Sequence, residues 1–306
     1  MMSPRFIRVS DDRGHDFELR TPPLRIVSLV PSDTYSLVRL GAGDRIVGRT
    51  RYCVEPAEAL VDVPEVGGTK DADLEKIAEL KPDLIIANKE ENTRTDILKL
   101  EALGLRVFVS FPQTVAAGLA HTARLARALG LDHGAEPARS VIAAGYHAHR
   151  EALAHTGKGR AVRVFCPIWM DPLMTIHGAT FISDVLALVG ADNVFAQRER
   201  RYPLAADMGG AAPLPAERVA GRDVRYPRVT LDEVVAMAPE LVLLPDEPHP
   251  FTAADAAVFR GLDIPAAKSG NVVFCDGKDL MWYGARSTEG LGRLRALVDA
   301  ARVTTA

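Results

Sequence analysis

The chain has 306 residues, 47% of them apolar and 25% charged, with a formal net charge of −3 and a pI near 6.3. That balance fits an ordinary soluble globular protein with room for about two domains of ~150 residues. It excludes the clustered basic surface of a nucleic-acid binder, and no apolar run reaches the ~18 residues of a membrane span.

Residues 5–9 and 16–19 read as a small hairpin whose loop holds Asp11, Asp12 and Gly14, and Pro22 and Pro23 end it. From residue 24 strands and helices alternate: strands at 26–30, from 46, at 84–87 and at 107–110, with helices at 34–40 and 95–103. Such alternation predicts a parallel sheet covered on both faces. Between 115 and 156 strand signals vanish, and a long helix is expected to start near Pro137, after Gly134, and to run to about Ala154 as a stiff linker. The scheme then repeats, with strands at 162–166 and 272–275, helices at 181–188 and 288–301, and a polar insert at 205–227. The expected organisation is an N-terminal hairpin (1–23), a first α/β lobe (24–118), a linker helix (119–158) and a second α/β lobe (159–306).

One stretch occurs twice without a gap. Residues 73–87 align on 230–244, each copy a capped helix with acids in its first turn, then Pro82 or Pro239, then an acidic residue and a short apolar strand. Two like lobes predict a cleft between them, a common place to hold a small ligand. Asp73 and Thr230 serve as caps, and Thr230 with Glu233 has capping-box spacing. Capping leaves unexplained why Glu75 and Asp232 hold equivalent places, where they are expected to form paired docking points for a two-fold partner.

In open α/β sheets ligands sit outside the carboxyl ends of the strands. The loops expected there hold both tryptophans of the chain, Trp169 and Trp282, with Tyr52 and Tyr283. Such rings suit a flat ring system or macrocycle, although Trp169 and Trp282 could instead plug the space between lobes. Asn88 and Glu90 lie in the same loop set. Lys70 and Arg286 could meet an anionic group, with Asp279 and Glu289 as alternative partners for Arg286. His177 stands on a turn where it could present an axial metal ligand, or make an ordinary hydrogen bond. His147 and His149, two residues apart, cannot share a helix face.

No G-x-G-x-x-G, P-loop, H-E-x-x-H or G-x-S-x-G motif is present, so no enzyme is predicted. Cys53, Cys166 and Cys275 are far apart, which indicates neither a disulfide framework nor a zinc site. The competing catalytic reading is a metallocluster-binding subunit with Cys166, at a strand end, as a ligand. Residues 1–20 are charged throughout, so no secretory signal is visible. The expected compartment is the cytoplasm for the chain as written, and the periplasm if translation starts upstream.

Residues 25–32, Leu40 to Asp44, Val66 with Gly67 and Gly68, Leu74 with Glu75, 81–85, Val189 to Phe195 and Thr230 to Glu233, taken as an ordered set, resemble one known group. It is the helical-backbone, or class III, periplasmic solute-binding proteins of cobalamin and iron-chelate ABC importers. The resemblance implies an α/β fold of two similar lobes, each a mostly parallel sheet flanked by helices, joined by one long connecting helix. It implies a non-catalytic protein holding a corrinoid, haem or metal chelate, with no covalent cofactor, for delivery to a dimeric permease met by Glu75 and Asp232. Tryptophans that cobalamin-binding members place near Thr69 and Asn88 are absent, which leaves the ligand open among these classes. A cytosolic carrier or sensor of the same ligand class is the alternative.

Overall fold

The computed structural model describes residues 6–131 and 135–304. Residues 1–5 of the expected hairpin, 132–134 of the expected linker and 305–306 lie outside the described residues. The chain divides into two compact units, one running up to Ala148 and including Trp282–Thr288, the other comprising His149–Met281 and the residues from Glu289 onward.

The first unit holds a four-stranded sheet of β3 (Ile26–Ser28), β4 (Ile46–Arg49), β5 (Leu84–Asn88) and β6 (Val107–Ser110), in the order β4-β3-β5-β6. All its pairings are parallel. Alternation along the strands sends Ile26, Leu84, Ile86 and Phe108 to one apolar layer and Val27, Ile85, Ala87, Val107 and Val109 to the other. Both faces are therefore buried, as a sheet built from helical crossovers requires.

The second unit repeats this plan. Its strands β7 (Val162–Phe165), β10 (Ala191–Asn193), β11 (Leu241–Pro245) and β12 (Val272–Cys275) are parallel, in the order β10-β7-β11-β12. In each sheet, then, the first strand lies between the second and the third. The loops after the first and third strands leave in opposite directions there, opening a crevice at the carboxyl ends. The sequence repeat is the helix and strand that supply each third strand: Leu74–Glu79 with β5, and Leu231–Met237 with β11. The match extends to the backbone, since Lys81 and Ala238, both just before the repeat's proline, adopt left-handed φ values of 47° and 45°.

The hairpin of β1 (Ile7–Ser10) and β2 (Asp16–Leu19) packs Val9, Phe17 and Leu19 into the first unit's core. Its tip covers the open edge of β6. Asp12 N–H donates to the Val109 carbonyl at 3.0 Å, the Asp11 carboxylate accepts Val109 N–H at 3.2 Å, and Arg13 donates to the Val107 carbonyl at 2.8 Å. An edge strand satisfied this way offers no template for another chain.

The stretch without strand signals holds two helices, Val115–Ala128 and Ala138–His155, the second coinciding with the long helix expected from near Pro137 to Ala154. The first stops where Gly130 takes a positive φ of 71°, a conformation that glycine adopts without a Cβ penalty. The second carries the chain from the first unit into the second.

Candidate functional site

In the first unit the carboxyl ends of β3, β5 and β6 converge on a buried polar cluster. Asp33, in the first turn of the helix Pro31–Arg39, receives His121 Nε2 on one carboxylate oxygen at 2.7 Å and the Tyr283 hydroxyl on the other at 2.7 Å. Ser110 Oγ lies 2.7 Å from the Tyr283 hydroxyl, and the Asn88 amide donates to Ser110 Oγ at 3.1 Å and to the Tyr283 hydroxyl at 3.2 Å. The helix dipole favours a carboxylate at this place. Burial, and then the charge of Asp33, pushes the Tyr283 phenol well above its ordinary value.

This cluster redefines several residues expected to line a ligand. Tyr283 is 6% exposed and Trp282 5%, so both are packed into the unit, Trp282 edge-on to Tyr35 with ring centroids 6.3 Å apart. Asn88 is buried, and its carbonyl oxygen accepts the N–H groups of Glu90 and Glu91, which shapes the turn after β5. Arg286 lies 3.7 Å from Glu55 and stands over the Tyr35 ring. Asp279 is gripped by Arg293 at 2.6 Å.

Other candidates face outward. Tyr52, on the loop after β4, is 51% exposed, with the Arg51 guanidinium 5.2 Å from its ring centroid and Arg51 held by Asp71. Lys70 is exposed and donates to the Glu90 carbonyl, tying the two loops together.

In the second unit Trp169, after β7, is 42% exposed. It belongs to a three-stranded antiparallel patch. Trp169 pairs with Met174 between β8 (Trp169–Met170) and β9 (Leu173–Met174), and Met174 pairs in turn with Arg228. Hydrogen bonds from Val229 N–H to Leu173 O, Thr175 N–H to Pro227 O and His177 N–H to Arg225 O continue the register. His249, from the loop after β11, packs edge-on to Trp169 at 5.5 Å and to Phe251 at 4.6 Å. Sequence reasoning passed over His249, yet the repeat held the signal: the loop after β11 is the counterpart of the Asn88 loop after β5.

His177 does not suit axial metal ligation as placed. Its Nδ1 accepts the Ala179 N–H at 3.0 Å, which leaves the ring proton on Nε2, whereas a ligating imidazole donates from the nitrogen that does not bind the metal. Cys166 is fully buried, and burial pushes its thiol up to about 12; Cys53 and Cys275 are pushed up for the same reason. Among the described residues no group of three or more His, Cys, Asp and Glu side chains could hold a metal ion, and no helix is long and apolar enough to cross a membrane.

Glu75 and Asp232 are both exposed in the first turns of the two repeat helices. Capping is done by their neighbours: Asp73 accepts Lys76 N–H, and Thr230 and Glu233 form a reciprocal box. Neither Glu75 nor Asp232 contributes to those caps.

The sequence profile described as periplasmic binding protein matches residues 26–278. The chain belongs to the periplasmic binding protein family. Among its relatives in that family, the vitamin B12-binding protein of Photorhabdus laumondii is 26% identical over 230 residues, covering 74% of this chain and 72% of the relative. That of Vibrio cholerae is 32% identical over 186 residues, 60% of this chain and 64% of the relative. Two solved members share the fold: the periplasmic vitamin B12-binding protein of Vibrio cholerae (TM-score 0.72, 20% identity, 92% of this chain and 99% of that one), and the periplasmic haem-binding protein of Roseiflexus sp. RS-1 (TM-score 0.72, 19% identity, 92% and 99%).

Proposed function

We propose that this member of the family is a non-catalytic solute-binding protein for a corrinoid, haem or metal chelate, and that it delivers its ligand to a dimeric ABC permease. The observation that carries the ligand class is the placement of Tyr52 and Trp169: both are large rings, about half exposed, in the connections that follow the carboxyl ends of parallel strands. The names of the B12- and haem-binding relatives support the same class. Lys70 and Glu90 border the first of these loop sets, and His249 backs the ring of Trp169. In this reading Trp282, Tyr283, Asn88 and Arg286 support the site from beneath, and Glu75 and Asp232 meet the permease.

Tryptophan fluorescence tests it directly. Trp282 is buried and Trp169 is exposed, so titration with cobalamin, cobinamide, haemin and ferric chelates should quench a signal that Trp169→Phe removes. Silence toward all four would remove the ligand class.

A further inference from the structure

The face of the antiparallel patch that carries Trp169 also carries an arginine with two buried guanidinium nitrogens, Nε and Nη1, that lack an acceptor. Residues directly opposed in an antiparallel pair project to one face, so Trp169, Met174 and Arg228 form a row across three strands. The alternate residues Leu173 and Val229 point the other way, into the second unit's core.

Arg228 Nε and Nη1 are buried and have no hydrogen-bond partner. Buried guanidinium N–H groups are costly to leave unmet, and this group does not deprotonate. The acids that could have answered it are already engaged. Asp207 accepts Arg198 Nη1 at 3.0 Å, Arg201 N–H at 2.9 Å and the backbone N–H of Arg228 at 2.8 Å. Glu233 accepts Arg198 Nε and Thr230 N–H, and Asp223 holds Arg225 at 2.6 Å.

Further positive charge gathers beside it. The Arg200 and Arg222 guanidinium groups lie 4.6 and 5.0 Å from the centroid of the single Tyr202 ring, and Arg200 N–H donates to the Val224 carbonyl at 2.7 Å, which fixes it beside the strand leading to Arg228. Burial first, and then the charge of Arg200, pulls the Arg228 guanidinium below its ordinary value. Like charges held together around unanswered donors are the arrangement of a site that awaits an anion.

We propose that Arg228, supported by Arg200, is the subsite for an acidic arm of the ligand, a carboxylate or a phosphodiester, while Trp169 and Met174 lie under the ligand's flat apolar body. The proposal rests on the solute-binding reading above and narrows it: the preferred macrocycle is one with an anionic substituent at its rim.

The test uses the full chain as wild type, Arg228→Met and Arg228→Lys, with two probe pairs: haemin against its dimethyl ester, and cyanocobalamin against cobinamide, which lacks the phosphodiester. For whichever acidic probe binds, Arg228→Met should weaken affinity about 10- to 100-fold, to the level of its partner lacking the acid, whose own affinity stays the same. Arg228→Lys should recover part of the loss. A response confined to the haemin pair assigns a carboxylate arm, and one confined to the cobalamin pair a phosphodiester. Equal loss for both members of a pair, or no loss for either, overturns the assignment. Inorganic pyrophosphate separates this outcome from failure of the functional reading. If no macrocycle binds but pyrophosphate raises the unfolding temperature of the wild type and not of Arg228→Met, the anion site stands and the ligand class falls. If pyrophosphate also gives no protection, both fall.

Discussion

The Tyr283 hydroxyl donates to the Asp33 carboxylate across 2.7 Å, joining residues 250 positions apart inside one compact unit. Removing that donor in Tyr283→Phe leaves a buried carboxylate with fewer partners. A loss of about 1–3 kcal/mol is expected in chemical denaturation; a loss within experimental error would mean that the bond contributes nothing net.

The same phenol gives a pH signature. Its folded-state pKa is raised, so its contribution is complete below the ordinary tyrosine range and is lost as pH climbs from there toward the raised value. Wild-type stability should therefore fall more steeply in alkali than that of Tyr283→Phe. In a native absorbance titration Tyr283 should ionise above the ordinary tyrosine range.

The thiols make a second chemical prediction. With Cys166 fully buried and its thiol near 12, and Cys53 and Cys275 also pushed upward, native protein at pH 8 should react slowly with a thiol reagent. Denaturant should release all 3 cysteines. Rapid labelling of Cys166 in the native state would contradict the burial described.

Ala238 offers a gain. An L-residue at a φ of 45° bears roughly 1–2 kcal/mol of strain that glycine escapes, against the ~0.5–1 kcal/mol entropic cost of glycine in the unfolded chain. Ala238→Gly should leave the thermal midpoint unchanged or raise it, where an ordinary Ala→Gly change lowers it. A clear drop would show that the turn tolerates alanine without strain.

Charge reversal at Glu75 and Asp232 tests docking. Both are exposed and lie outside the caps of their helices, so Glu75→Arg with Asp232→Arg should shift stability by no more than about 0.5 kcal/mol and leave ligand affinity intact. Ligand-dependent ATPase activity of the reconstituted permease should be lost. Unchanged activity would remove these acids from the interface.

Much of the fold can be read locally. The repeat marks the third strand of each sheet because a capped helix, a proline stop and an apolar strand leave a short-range pattern, and the hairpin is evident from its turn residues. Strand order is not written in any local pattern, and the shared placement of first, second and third strands emerges only from pairing. The site was less legible for the same reason. Trp282 and Tyr283 look like ligand aromatics until Asp33 and Tyr35, hundreds of residues earlier, are seen to receive them. Arg228 gives no signal of its own, since an arginine beside the polar insert at 205–227 reads as solvated charge. Its interest comes from acids that turn out to be spent on Arg198 and Arg225.

The short Trp282–Thr288 segment makes the first unit discontinuous in sequence. A gene fragment ending near Ala148 would encode Asp33, Ser110 and Asn88 but omit the residue that closes their network. Such a fragment is expected to be insoluble or molten by itself. A synthetic peptide spanning residues 282–288, supplied in trans, would be its natural complement.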